Sequence, residues 1–83
     1  MNASIEISMY PLNEEYVKFI KEFIDNINKN KKLEIETNGM STQIFGDYFE
    51  IMETLTKEIY HSYQKAGATV FVLKIVNAHL KQE

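Results

Sequence analysis

The chain has 83 residues, which is enough for one domain and too few for two. Nine basic residues against twelve acidic ones give a formal charge of −3, and all nine are lysines. Because nucleic-acid binders carry a basic footprint and rely on arginine, this composition argues against a nucleic-acid partner. The absence of cysteine excludes disulfides and thiolate metal sites. With no apolar run of membrane-spanning length and no signal-peptide layout, we expect a cytoplasmic protein without a membrane partner.

The first two predicted elements are a strand over about 3–10 and a helix over about 14–29. Strict alternation places three apolar side chains on one strand face, namely Ile5, Ile7 and Met9. Pro11 cannot donate to a ladder and is expected to end the strand. Asn13 is a favourable N-cap residue, and apolar residues follow it at helical spacing.

A hairpin is predicted next, with strands over about 32–37 and 40–46. Asn38-Gly39 between them is typical of a two-residue turn, because both residues tolerate positive φ. The inward face of the third strand stays open at this point. Two alternating sets are both of mixed polarity, Met40-Thr42-Ile44 and Ser41-Gln43-Phe45.

The second half of the chain predicts a helix over about 48–65 and a final strand over 68–76. Asp47 stands in the N-cap position, and Gly67 suits the positive φ that commonly follows a helix. Residues 77–83 form a polar tail. The order βαββαβ predicts a single α+β domain over 1–83, a ferredoxin-like sandwich with both helices on one face of an antiparallel sheet in strand order 4-1-3-2.

This architecture leaves one sheet face open, and function is expected there. If Ile5 and Ile7 pack under the helices, then Glu6, Ser8 and Tyr10 point to the open face. The neighbouring strands add carboxylates and valines to this face, namely Glu34, Glu36, Val70, Val72 and Val76. A face of this mixed character suits either a dimer interface or a small-ligand pocket within or beside such an interface.

Several activities known for this architecture are disfavoured by composition. Acylphosphatase-type chemistry needs arginine, metallochaperones need paired cysteines, and RNA-recognition domains need aromatic motifs that the first and third strands lack. His61 and His79 have no ligand partner at metal spacing and are interpreted as surface histidines. Without a recognisable nucleophile motif, the chain is expected to be a binding protein that is not an enzyme and uses no cofactor.

Three segments carry a family resemblance, ASIEISMYPLNEEYVKFI, NGMSTQIFGDYFEIM and KAGATVFVLKI. The first strand ends in Ser-x-Tyr-Pro at 8–11, and a Ser-Thr strand leads through Gly46-Asp47 into the second helix. In these features, and over nearly its whole length, the chain resembles the YkoF-like thiamine-binding family.

The resemblance implies a ferredoxin-like domain that binds thiamine or its hydroxymethylpyrimidine moiety. It also implies a homo-oligomer, since single-domain members must borrow from another subunit what tandem relatives hold in one chain. Position by position, Ser8 and Tyr10 belong to the first signature, and Ser41 and Thr42 to the second. The acidic candidates come from the strand pattern alone, namely Glu6, Glu34 and Glu36.

The hypothesis is that Ser8, Ser41 and Thr42 orient the pyrimidine while Tyr10 stacks on a ring, since an aminopyrimidine offers both donors and acceptors. Each side chain also has a structural interpretation. Tyr10 could cover the sheet edge, and Ser41 and Thr42 could satisfy strand or turn hydrogen bonds. The competing function is a structural or regulatory oligomerisation module without a small-molecule ligand.

Overall fold

The computed structural model describes residues 1–82 as one four-stranded antiparallel sheet with two helices. The elements are β1 (Asn2–Pro11), α1 (Tyr16–Ile27), β2 (Glu34–Thr37), β3 (Thr42–Asp47), α2 (Tyr48–Ala66) and β4 (Thr69–Val76). Their spatial order is β2-β3-β1-β4, which confirms the predicted ferredoxin-like α+β fold. Neither helix in this part of the chain is long and apolar enough to cross a membrane. Residue 83 of the predicted tail lies outside the described residues.

The core lies between the sheet and the helices. Its largest fully buried side chains are Ile5, Ile27, Ile44, Ile51 and Leu55. Each contributes about 1.5–3 kcal/mol by leaving water, so they supply a large part of the stability of so small a domain.

The β1–β3 register decides the faces of β3, which the sequence pattern had left open. Ile5 pairs with Ile44 and Ile7 pairs with Thr42. Directly opposed residues in an antiparallel pair point to the same face, so Thr42 and Ile44 face the helices. Gln43 consequently shares the open face with Glu6, its partner on β1.

Both predicted ends of α2 are confirmed. The Asp47 carboxylate accepts a hydrogen bond from the Glu50 backbone N–H at 3.2 Å, as expected of an N-cap. This hydrogen bond holds the pKa of Asp47 below its usual value. After the helix, Gly67 has a positive φ of 76°.

The predicted start of α1 and the predicted hairpin turn need correction. Asn13 accepts a hydrogen bond from the Glu15 N–H and so holds a turn that precedes the helix, which begins at Tyr16. The connection between β2 and β3 is a loop of four residues, 38–41, rather than two. The Asn38 side-chain carbonyl accepts from the N–H groups of Met40 and Ser41, and this pattern closes the loop without any positive φ.

The tail, residues 77–82, packs against one half of the open face. Ser4 anchors it, because its hydroxyl donates to the Ala78 carbonyl at 2.7 Å and accepts from the Leu80 N–H at 2.9 Å. The His79 ring lies 5.9 Å from the Phe45 ring. Ser4 and Phe45, although on the open face, are therefore buried.

Candidate functional site

A cleft opens at one end of the sheet, and we call it the edge cleft. The β1–β3 pairing ends at Ile7 opposite Thr42, whereas β1 continues alongside β4 as far as Pro11. The last residues of β1, the β2–β3 hairpin around the loop 38–41, and α1 as far as Ile24 consequently surround a space of about 360 Å³. This volume lies within the range of small-molecule sites.

Four of the predicted site residues line the edge cleft, namely Ser8, Tyr10, Ser41 and Thr42. Ser41, the last residue of the loop, hydrogen-bonds to Glu6 of the open face, whereas Thr42, the first residue of β3, faces the helices. Both reach the cleft because it opens where the sheet ends. Tyr10 is 54% exposed, and Tyr16 of α1 is 53% exposed on the same cleft. Two aromatic rings thus lie at its mouth, over an apolar wall that includes Phe23.

The helix-side wall of the cleft carries a pair of hydroxyl groups. Thr37 and Thr42 are opposed across β2 and β3, and their Oγ1 atoms lie 3.1 Å apart. Thr42 is buried, so its hydroxyl is satisfied by Thr37 rather than by bulk water. Such a pair can rotate to offer a donor or an acceptor to a molecule in the cleft.

Glu6 lies beside the cleft on the open face. Its carboxylate accepts a hydrogen bond from the Ser41 hydroxyl at 3.1 Å and forms an ion pair with Lys74 at 3.4 Å. Because Ser41 lines the cleft, its side chain would lie between the Glu6 carboxylate and a molecule bound in the cleft.

The other two acidic candidates lie elsewhere. Glu36 is an exposed side chain of β2 that lies 3.9 Å from the Lys81 ammonium group. Glu34 forms an ion pair with Lys81, and this hydrogen-bonded cation holds the pKa of Glu34 below its usual value. Both carboxylates therefore hold the tail and are not among the residues that line the edge cleft.

A wider, more open depression of about 750 Å³ lies under the tail. It is lined by Glu6, Gln43, Phe45, Lys74 and His79, among others. Within residues 1–82, no three side chains of His, Cys, Asp or Glu are grouped as metal ligands would be.

Sequence reasoning missed Thr37, Asn38 and Tyr16 as residues of the site. Thr37 lies within the predicted second strand and Tyr16 within the predicted first helix, so the sequence pattern did not distinguish either from its neighbours. The sequence signal nearest to these residues was the Asn38-Gly39 pair. It correctly predicted that the chain reverses there, but it did not predict that the loop has four residues.

The chain matches the YKOF-related family over residues 2–77. It belongs to that family. No curated protein matches the chain in sequence.

Solved structures show the same fold. A protein from Streptococcus pneumoniae is 21% identical, with a TM-score of 0.87 over 96% of this chain and 90% of its own. A hypothetical protein from Methanocaldococcus jannaschii is 28% identical, with a TM-score of 0.81 over 98% and 84%. A protein from Thermotoga maritima, assigned provisionally to thiamine biosynthesis or salvage, is 22% identical, with a TM-score of 0.81 over 90% and 82%.

Proposed function

We propose that this member of the YKOF-related family binds thiamine or its hydroxymethylpyrimidine moiety in the edge cleft and does not transform it. The observation that carries the proposal is the meeting of Ser8, Tyr10, Ser41 and Thr42 in one cleft. The provisional assignment of the Thermotoga maritima structure to thiamine biosynthesis or salvage supports the choice of ligand.

The chemistry of the cleft suits an aminopyrimidine. The ring is flat and uncharged, and it can lie between the tyrosines at the mouth and the apolar wall formed by Phe23 and Ile24. Its amino group can donate to the Ser41 oxygen, and its ring nitrogens can accept from the Thr37–Thr42 pair. Few well-placed polar groups on an apolar lining are typical of small-molecule sites.

Binding without catalysis fits the residue types in the cleft. General acid–base catalysis needs a titratable group within hydrogen-bond reach of the reacting atoms. Apart from the phenols of Tyr10 and Tyr16, the residues that line the cleft in the described chain carry aliphatic hydroxyl, amide, thioether and hydrocarbon side chains. Glu6 is engaged by Ser41 and Lys74, which suits a role in orientation.

We further propose that the site lies beside a homo-oligomer interface. Ser8 and Tyr10, which line the cleft, pair with Val72 and Val70 of β4. Both valines are about half exposed on the open face. A second copy of the chain that covered these valines of β4 would lie next to the β1 residues that line the cleft.

The alternative function, an oligomerisation module without a ligand, is favoured by that same exposed valine row. It predicts self-association with no binding of either compound. Ligand titration therefore discriminates between the two functions.

The test is isothermal titration calorimetry of the purified protein with thiamine and, separately, with hydroxymethylpyrimidine. We expect saturable binding, with a dissociation constant in the micromolar range or below. Tyr10→Ala and Thr42→Val should each weaken it by about tenfold, since each removes one contact worth about 1–1.5 kcal/mol.

Thr56→Val is the matched control, because Thr56 is an exposed threonine of α2 outside the edge cleft. It should bind like the parent. Absence of heat with both ligands from folded protein would favour the oligomerisation module. Unaltered affinity in folded Tyr10→Ala and Thr42→Val would place the site elsewhere.

A further inference from the structure

The Ser41 hydroxyl has a fixed polarity. Its single hydrogen is donated to Glu6 at 3.1 Å, so toward the cleft the oxygen can offer only lone pairs. Glu6 is held in this position by a second interaction, the 3.4 Å ion pair with Lys74. Ser41 therefore presents an acceptor, backed by a carboxylate, to a molecule in the edge cleft.

The rest of the cleft adds no positive charge. Each of the residues that line it in the described chain is uncharged. The N-terminus of α1 reaches the cleft at Tyr16, and a helix N-terminus favours anions. Here, however, two carboxylates, Glu14 and Glu15, immediately precede the helix, and Glu15 also pairs with Lys18 at 3.5 Å.

We propose that the edge cleft selects unphosphorylated ligands and that Glu6 sets this preference through the Ser41 hydroxyl. This inference rests on the proposed function and names the chemical form that the site takes. A phosphate monoester carries nearly two negative charges and three acceptor oxygens at neutral pH. In the edge cleft the phosphate would lie next to the Ser41 oxygen, which can only accept, and near the Glu6 carboxylate. An amine or an alcohol at the same place could donate a hydrogen bond to the Ser41 oxygen.

A protein with this selectivity handles the free alcohol. In a reaction sequence it acts upstream of the phosphoryl transfer that would convert the free alcohol, hydroxymethylpyrimidine or thiamine, into its phosphate ester.

The experiment compares hydroxymethylpyrimidine with its phosphate monoester, and thiamine with thiamine monophosphate, by calorimetric titration. In the parent protein we expect each phosphate ester to bind at least about tenfold more weakly than its alcohol, because like charges brought together at a binding site oppose binding. Glu6→Gln should lower the ratio of the ester's dissociation constant to that of the alcohol. The neutral amide removes the negative charge and can donate to the Ser41 oxygen, so the Ser41 hydroxyl hydrogen becomes free to bond to the ligand.

Glu53→Gln is the matched control, because Glu53 is an exposed carboxylate of α2 and the substitution changes the net charge by the same amount. It should leave the ratio as in the parent. Unfolding temperatures of both variants establish that each is folded.

The two proposals fail in different ways. Equal affinity for alcohol and ester would overturn the selectivity, and a ratio that Glu6→Gln and Glu53→Gln change alike would overturn the role of Glu6. Either result would leave the proposed function standing. Tighter binding of the ester would overturn the selectivity as a whole. If neither form binds to folded protein, the proposed function fails and the selectivity fails with it.

Discussion

Gly67 follows the last turn of α2 with φ 76° and ψ −144°, a conformation that side chains other than glycine rarely adopt. Its N–H still donates to the Tyr63 carbonyl at 3.1 Å, as in the helix, and its positive φ then turns the chain away from the helix towards β4. Gly39, in the β2–β3 loop, does not have a positive φ, and a Cβ atom there would meet nothing within 4 Å. The two glycines therefore differ in what they contribute.

We expect Gly67→Ala to lower the free energy of unfolding by about 1–3 kcal/mol, because the alanine would hold a strained backbone conformation. Gly39→Ala, the matched control, should leave stability nearly unchanged. Urea unfolding followed by circular dichroism measures both. Equal stabilities for the two variants would contradict the strain at Gly67.

The family resemblance drew attention to four residues of the edge cleft. They belong to the Ser-x-Tyr-Pro and Ser-Thr signatures, and all four are among the residues that line the cleft. Sequence could not reveal that the Ser41 hydroxyl is committed to Glu6, because those residues are 35 positions apart and meet only across the β1–β3 ladder. The strand pattern also grouped Glu36 with Glu6 as an acidic candidate for the site, although Glu36 lies 3.9 Å from the Lys81 ammonium group.

At the scale of elements, the tail joins β2 through Lys81, which pairs with Glu34 and lies 3.9 Å from Glu36. The hydrogen bond and charge of Lys81 lower the pKa of Glu34, and the charge of His79 adds to this. A lowered carboxyl pKa means that the contribution to tail docking is complete above the ordinary glutamate value of 4.5 and is lost as pH falls through the lower folded value.

We expect the tail to detach partly in acid. The nuclear Overhauser contact between the His79 and Phe45 rings, strong at neutral pH, should weaken below the ordinary glutamate pKa of 4.5. Glu34→Gln should weaken the same contact at neutral pH and make it less sensitive to acid. A contact of constant strength across this range in both proteins would show that the anchor at Ser4 holds the tail unaided.

At the scale of the whole molecule, β4 lies at the edge of the sheet, and apart from Thr69 and Lys74 its residues are apolar. Its side chains with about 40–50% exposure are Val70, Val72, Ile75 and Val76. An edge strand with exposed apolar side chains is a site for pairing with another chain. A second β4, antiparallel to the first, would extend the sheet at this edge.

We therefore expect a native mass above the 9.7 kDa of one chain in multi-angle light scattering. Val72→Lys should shift the population towards monomer, because it places a charge in the centre of the exposed strand. Gln64→Lys adds the same charge at an exposed position of α2 and should not have this effect. A monomeric parent protein would contradict the proposed assembly.

The order of elements and the faces of β1 and β4 followed from the sequence alone, because side-chain periodicity and capping residues act over only a few positions. Alternation in β1 predicted that Ile5 and Ile7 face the helices, and Asp47 and Gly67 marked both ends of α2. These are local preferences that the tertiary structure had no reason to override.

Tertiary structure decided the register of β3, the length of the hairpin loop and the place of the tail. β3 has mixed polarity on both faces, so only its pairing with β1 shows which set is buried. Asn38 closes a four-residue loop with its side chain, and the resulting separation of β1 from the hairpin opens the edge cleft. The polar tail has no periodic pattern of apolar residues from which its position could be predicted. That position depends on hydrogen bonds to Ser4, which is more than 70 residues away in the chain.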